Sequence, residues 1–439
     1  MNRSCITLLL TTLLPICFTI LVENGINAAQ RVSLDELNHG GWERYKGQTI
    51  TLTTPLHVVG LYYDSVVLAK DFLYAPEEHA IGLDQGDSTL YKQLRQKNYQ
   101  QRIRLEAKYY PWKIRTGAIV KNLTATVNGE RRLVSGKAPR FTHTRFRRRP
   151  PKRDKEADMI ICAANIQNYF YHLGGYASRK TTPKQFDLQT HKIATALHRI
   201  DADLYALCEV ERGSAAPDAL VEAMNRKAGK ELYAWIDNGF TDADMIMVAW
   251  IYRKDRVHPY GNTHYAYSDT IGHYHYRLMM HGFEHIKSGE KLNVCLNHLR
   301  SKHGKPEVSN ARRMANVDSV LYMLDTLQRR GHLLDEDILM VGDYNCYAYE
   351  QPIRAIVSAG YADQLLRLDP HGYSYVYHSE RGYLDRVFAN PSMEKQVHSI
   401  QPWHINTDAY YSKGYRSKYA DTDVIRYADH DPVLIGIKF

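Results

Sequence analysis

Between residues 32 and 136 the apolar positions fall in short alternating or β-rich runs, at 48–54, 56–61, 65–69, 102–107 and 118–127. Runs of that length with a period of two predict strands rather than helices. Asn128-Gly129 is a hairpin signal that turns the last run back into 131–135. The pattern predicts a small OB-like β-barrel domain over residues 31–137, a fold often used to hold nucleic acids or sugars. After residue 158 the pattern changes. Mostly apolar runs at 159–164, 204–207, 245–252, 292–297, 338–341 and 433–437 read as buried strands, and 190–200 reads as a helix. Between the two regions, residues 138–157 contain Pro139, Pro150 and Pro151 and read as an extended linker.

Composition narrows the class. A chain of 439 residues, 44% hydrophobic and 24% charged, is not wholly disordered, collagen-like or a multi-span membrane protein. The formal charge is +9, and eight basic residues against Asp154 place a net +7 between Arg140 and Lys155. Such a stretch either grips phosphates nonspecifically or is a solvated, protease-sensitive connector. At the N-terminus, Arg3 precedes an uncharged run over 4–22 and the small residues Asn27, Ala28 and Ala29. Residues 1–29 are therefore expected to be a signal peptide, giving a bacterial secreted, periplasmic or extracellular protein; the alternative is an uncleaved membrane anchor. Beyond this leader, Cys162, Cys208, Cys295 and Cys346 each sit in or beside an apolar run and are expected to be core residues rather than bridges or zinc ligands. In the first domain Trp42, Tyr45, Tyr62, Tyr63, Tyr109, Tyr110 and Trp112 are either base-stacking rings or ordinary core and surface aromatics.

The buried-strand runs end in chemistry. The run at 159–164 leads into Asn165, 204–207 into Glu209, 292–297 into His298 and 338–341 into Gly342-Asp343-Tyr344-Asn345, while Asp429-His430-Asp431 precedes 433–437. Singly, each is a turn former or a satisfied polar group. Together, hard oxygen ligands such as Glu209 and Asn165 suit magnesium, and paired His and Asp residues suit proton transfer at one rim of a rigid sheet.

In order along the chain stand Ala164-Asn165-Ile166-Gln167, Leu207-Cys208-Glu209-Val210-Glu211, Ile251-Tyr252-Arg253, Asn297-His298-Leu299-Arg300-Ser301-Lys302, Gly342-Asp343-Tyr344-Asn345, Tyr373-Ser374-Tyr375 with Leu384-Asp385, and Asp429-His430-Asp431-Pro432. On these pieces the chain over 158–439 resembles the endonuclease/exonuclease/phosphatase family, and within it the bacterial extracellular nucleases that carry an OB-like domain ahead of the catalytic one. The resemblance implies a four-layer α/β sandwich of the deoxyribonuclease I-like type. It implies metal binding by Glu209, Asn165 and Asp429, and catalysis by His298, Asp343, Asn345, Asp385 and His430. Tyr252 and Arg277 would touch the substrate phosphate. The expected cofactor is Mg2+, with Mn2+ or Ca2+ as alternatives. The expected activity is secreted, metal-dependent, endonucleolytic hydrolysis of DNA, RNA being a further substrate, with no obligate protein partner and no membrane contact beyond the export signal. The alternative is a secreted phosphodiesterase or phosphatase acting on lipid or inositol phosphates. Three positions depart from the family pattern: Arg386 follows Asp385, Ala428 precedes Asp429, and Leu278-Met279 follows Arg277.

Overall fold

A computed structural model of the chain describes residues 29–108, 113–175, 177, 180–418 and 420–439. The expected signal peptide, save its last residue, and Tyr109, Tyr110 and Trp112 lie outside the described residues. No described helix is long and apolar enough to cross a membrane.

The N-terminal part is a β domain. Its strands are β1 (Gln30–Val32), β2 (Thr49–Leu52), β3 (Leu56–Leu61), β4 (Ser65–Ala69), β5 (Ile103–Ala107), β6 (Ile119–Val120), β7 (Leu123–Gly129), β8 (Arg132–Ser135) and β9 (Phe141–Thr142), hydrogen-bonded in the order β1-β2-β7-β8-β5-β4-β3-β6-β9. The alternation read from the sequence is the burial pattern: Ile50, Leu52, Val66, Leu68, Ile103, Leu105, Leu123, Ala125 and Val127 form its core. Trp42 and Tyr45 belong to that core, whereas Tyr62 and Tyr63 are exposed. One element has no counterpart in the sequence reading. The helix Thr89–Gln101 buries only Asn98, so no apolar stripe marks it.

Residues 143–158 lack regular structure but are laid against the second domain. The Trp403 indole donates to the Arg147 carbonyl at 2.7 Å, Arg148 pairs with Asp423, and Arg153 pairs with Asp203 at 2.6 Å. Two of the arginines in the basic stretch are thus already occupied.

The second part is built on two six-stranded sheets. The first contains β10 (Met159–Tyr169), β11 (Leu204–Arg212), β12 (Tyr233–Trp235), β13 (Ala243–Arg253), β22 (Val397–Pro402) and β23 (Val433–Ile437). The second contains β14 (Val257–Tyr265), β15 (Leu278–His285), β16 (Lys291–His298), β17 (Ile338–Asp343), β18 (Ala362–Asp363) and β21 (Asp385–Ala389). A short hairpin, β19 (Tyr375–Tyr377) and β20 (Glu380–Gly382), stands apart from both. Along β10, Met159, Ile161 and Ala163 face the other sheet, while Ile160, Cys162 and Ala164 face the helices Pro183–Ile200 and Ala215–Ala228. Side chains alternate across a strand and both faces are covered, which is why the run contains no polar residue. The second sheet packs its outer face on the helix Pro306–Arg329. The result is the expected four-layer α/β sandwich. The helix read from residue 190 begins at Pro183. Its start signal is the Thr182/Gln185 capping box with proline in the first turn.

The two domains are joined by buried polar contacts as well as by the chain. Glu78 accepts from the Tyr383 and Ala348 amides and from Arg386, and Asp408 accepts from Arg115, Thr116 and Tyr373. Arg386, one of the departures from the family pattern, is fully buried between Glu78 and Asp363.

Candidate active site

Strand direction gathers the polar residues. Strands β10 and β11 run parallel, as do β16 and β17, so their C-terminal ends deliver Asn165, Glu209, His298 and Asp343 to one rim. Strands β21 and β23 run antiparallel to these, so it is their starts that arrive there, bringing Asp385 opposite Asp343 and His430 just ahead of Val433. Two local devices aim the side chains. Glu209 has φ 65° at a break in the β11/β13 register, a bulge that turns its carboxylate into the rim. Gly342 has φ 126°, and a Cβ there would lie 2.1 Å from the Asn297 carbonyl oxygen, so only glycine lets β17 pass β16 before Asp343.

The centre is a connected network. The Asn165 amide nitrogen donates to Glu209 and to Asp343, at 3.0 Å each, while its oxygen accepts from the Gln167 amide at 2.9 Å. Asn165 therefore clamps the two carboxylates together. Glu209 also accepts from the Asn168 amide at 2.7 Å. Asp343 accepts from the Asn345 amide at 2.9 Å, and the Asn345 side chain is tied to the Leu299 carbonyl at 3.1 Å. His298 Nε2 lies 3.7 Å and His430 Nε2 4.0 Å from Asp343 Oδ2. The other nitrogen of His430 meets Asp385 Oδ2 at 2.8 Å, and the Tyr375 ring lies against the imidazole with centroids 4.5 Å apart. Asp431 fixes the loop that carries His430 by accepting from the Ile405, Asn406 and Thr407 amides and meeting His404 at 3.0 Å.

Burial and charge set the protonation states. Burial pushes Asp343 up to about 7, opposed by His430 and reinforced by Asp385. Burial and the neighbouring Asp429 raise Glu209. Burial works against a charge on His430, but Asp385 and Asp343 outweigh it and hold the imidazole well above its ordinary value. His298 goes the other way, pushed well below the ordinary range by burial, Arg277 and His430. The rim thus pairs one histidine held as the cation with one held neutral, the separation that acid and base roles require.

The donor set fits a hard cation. Glu209, His298 and Asp343 each present a ligand atom within 4.8 Å of the others. Asp429, close enough to raise Glu209, has a buried Oδ1 without a hydrogen-bond partner. Carboxylates drawn together against their own repulsion, one with an orphaned oxygen, are what a divalent ion relieves.

Of the residues read from the sequence, Asn165, Glu209, His298, Asp343, Asn345, Asp385, Asp429 and His430 come together at this rim. Arg277 stands beside it, close enough to depress His298, with its guanidinium over the Tyr274 ring at 4.6 Å. Tyr252 does not reach the rim. Strand β13 is antiparallel to β11, so Tyr252 pairs with Leu204 at the opposite end, five residues or roughly 17 Å along the strand from Met247 beside the site. Its expected phosphate contact is corrected accordingly. The reading placed Tyr375 in a motif but gave it no role, since nothing local marks its contact with His430, and it missed everything the N-terminal domain contributes. A groove of about 740 Å3 opens at His430 and Asn345 and is lined also by Arg95, Tyr99 and Arg102.

Residues 168–367, which include Glu209, His298, Asp343 and Asn345, match the model of the Endonuclease/Exonuclease/phosphatase family. Over these residues the chain is similar to this family. That similarity supports hydrolysis of phosphoric esters. Similar solved structures include an endonuclease/exonuclease/phosphatase family protein from Bacteroides thetaiotaomicron, at 17% identity, covering 64% of this chain and 97% of that one with a TM-score of 0.45. A mannosyl-6-phosphatase from the same species has 15% identity, coverage of 64% and 100%, and a TM-score of 0.45. D. rerio TDP2, solved with a single strand DNA product, has 16% identity, coverage of 64% and 99%, and a TM-score of 0.41. Identities this low leave the substrate open. No curated protein matches the chain.

Proposed function

We propose that the protein is an exported, divalent-metal-dependent nuclease that hydrolyses phosphodiester bonds of DNA, and of RNA where the strand can enter, by internal cutting. The observation that carries this reading is the Asp385–His430 pair set 4.0 Å from Asp343, beside the unpartnered Asp429 oxygen and the raised Glu209. In this reading Glu209 and Asp429 hold the ion, with Mg2+ the expected occupant and Asn165 keeping their neighbour Asp343 in place. When bound, the ion neutralises charge that develops on a nonbridging phosphate oxygen. Asp343 orients the attacking water with Asn345. His430, held by Asp385, stabilises the transition state as a hydrogen-bonding cation or passes its proton, and Arg277 and neutral His298 contact the phosphate from the other side.

Nucleic acid is favoured over a small phosphate by the Asn297-His298-Leu299-Arg300-Ser301-Lys302 segment, by the +9 charge and by tyrosines along the groove. An OB-like reading of the N-terminal domain is supported by its circuit, in which β2 and β3 are nearly continuous, β5 and β8 are parallel, and β7 closes back onto β2. Export is supported by the uncharged run that follows Arg3.

The test is incubation of the purified chain with supercoiled plasmid, linear DNA, RNA, a sugar phosphate and phospholipid vesicles, with Mg2+, Mn2+ or Ca2+ and with EDTA. The expected result is nicking of plasmid that EDTA abolishes. Cleavage that survives the chelator refutes the metal role. Turnover of sugar or lipid phosphates without any action on nucleic acid refutes the nuclease reading.

A further inference from the structure

We infer that the helix Thr89–Gln101 of the N-terminal domain is the second wall of the substrate groove and binds unpaired nucleotides next to the scissile phosphate. This rests on the nuclease reading and narrows it. The groove of about 740 Å3 is lined by Tyr375 and Tyr377 of the β19–β20 hairpin, by Arg95 and Tyr99 of the helix, and by Asn345 and His430 of the reacting centre.

The helix has no reason in the core to be there. It buries Asn98 alone, while Tyr99 is 62% exposed and faces a hairpin whose Tyr377 is 58% exposed. Large rings left in water on both walls of a groove that ends at a reacting centre mark a binding surface rather than a packing one. The helix is nevertheless fixed in position. Asn98 donates to the Tyr74 carbonyl and to Glu380, both at 2.8 Å, and Arg102 pairs with Glu380 at 2.5 Å. Glu380 belongs to the hairpin that lays Tyr375 on His430, so one set of bonds fixes the distance from the helix to the reacting centre.

The chemistry of the walls selects the ligand. The Tyr375 and Tyr377 rings stand within 14° of parallel, and Arg131 lies 5.7 Å from the Tyr99 ring centre. Exposed Arg95, which donates to the Tyr91 hydroxyl at 3.4 Å, adds a cation on the helix side. Flat rings with interleaved cations match base faces strung on a phosphate backbone, and base faces are available only where the strand is unpaired. A duplex presents edges and phosphates, which leave the tyrosine ring faces unused.

The experiment uses the full chain with Tyr99→Ala, Arg95→Ala and Tyr99→Phe, and three substrates: a short single-stranded oligonucleotide, its duplex, and bis(p-nitrophenyl) phosphate. Loss of one stacking ring should raise KM for the single strand on the order of tenfold, with the loss falling on KM more than on kcat. The rise should exceed that for the small diester and for the duplex, and Tyr99→Phe, which keeps the ring, should restore the single-strand KM. An unaltered single-strand KM in both alanine variants, or an equal rise on all three substrates, would overturn the inference while the nuclease reading stands. If the unsubstituted chain cleaves the small diester and no nucleic acid, both readings fall together.

Discussion

Glu78→Ala probes whether the two domains form one structural unit. The Glu78 carboxylate accepts from the Tyr383 amide at 2.6 Å and the Ala348 amide at 3.1 Å, and Arg386 Nη1 lies 3.3 and 3.2 Å from its two oxygens. Arg386 is wholly buried, and its other carboxylate partner is Asp363. Removing Glu78 leaves that guanidinium with one carboxylate where it had two. Breaking a buried pair from one side costs about 3–5 kcal/mol, and the surviving Asp363 places this case at the lower end. The two buried amides also lose their acceptor, at about 1–3 kcal/mol each, less wherever water fills the vacated space. The expected loss is therefore about 3 kcal/mol if water satisfies both amides and about 5 kcal/mol or more if they are left orphaned. Guanidinium unfolding followed by fluorescence of variants that keep a single tryptophan measures it, with Trp42 reporting on the first domain and Trp250 or Trp403 on the second, all three buried. Their transitions should shift to lower denaturant together. A loss below about 1 kcal/mol, small beside the cost of orphaning a buried ionic group, would refute the reasoning. So would a Trp42 transition that stays in place while the others move.

The remaining predictions concern the rim and the core. His430→Ala should lower kcat by about a hundred- to ten-thousandfold without rescue by added metal, and Asp385→Asn, which leaves the imidazole in place, should cost less; near-normal turnover by folded His430→Ala would exclude the proposed pair. Glu209→Gln should lose activity steeply and regain part of it at high metal concentration, as read from a metal titration of kcat/KM. Gly342→Ala, whose Cβ would meet the Asn297 carbonyl at 2.1 Å with φ 126°, should lower the unfolding midpoint by the equivalent of about 1–3 kcal/mol or more. Burial lowers His281 to about 4 from the ordinary 6.5, so between those values the unfolded chain binds a proton that the folded one does not. Stability should fall as pH drops through this window, by up to about 3 kcal/mol, and His281→Leu should remove that part of the acid dependence in urea titrations at pH 7, 5.5 and 4.5.

The sequence by itself determined the buried strands and most of the polar residues at their ends, and the resemblance built on those residues implied the sandwich. Strands covered on both faces are apolar at nearly every position, so 159–164, 204–207 and 338–341 read as strands without any neighbour being known. The first polar residue after each run is where the chain leaves the core, and Asn165, Glu209, His298 and Asp343 could be read there one by one. What it could not supply was strand direction, which depends on pairing. That is why Tyr252 pointed to the site from the sequence and stands at the far end of β13 in the fold. Nor could it supply contacts between distant residues of ordinary local character. Glu78 meets Arg386 across 308 positions, and nothing near either residue announces the other. The helix Thr89–Gln101 was invisible for the same physical reason that makes it informative. It buries almost nothing, so it leaves no periodic stripe, and only the tertiary structure, by pinning Asn98 and Arg102 to Glu380, turns a polar segment into a wall of the groove.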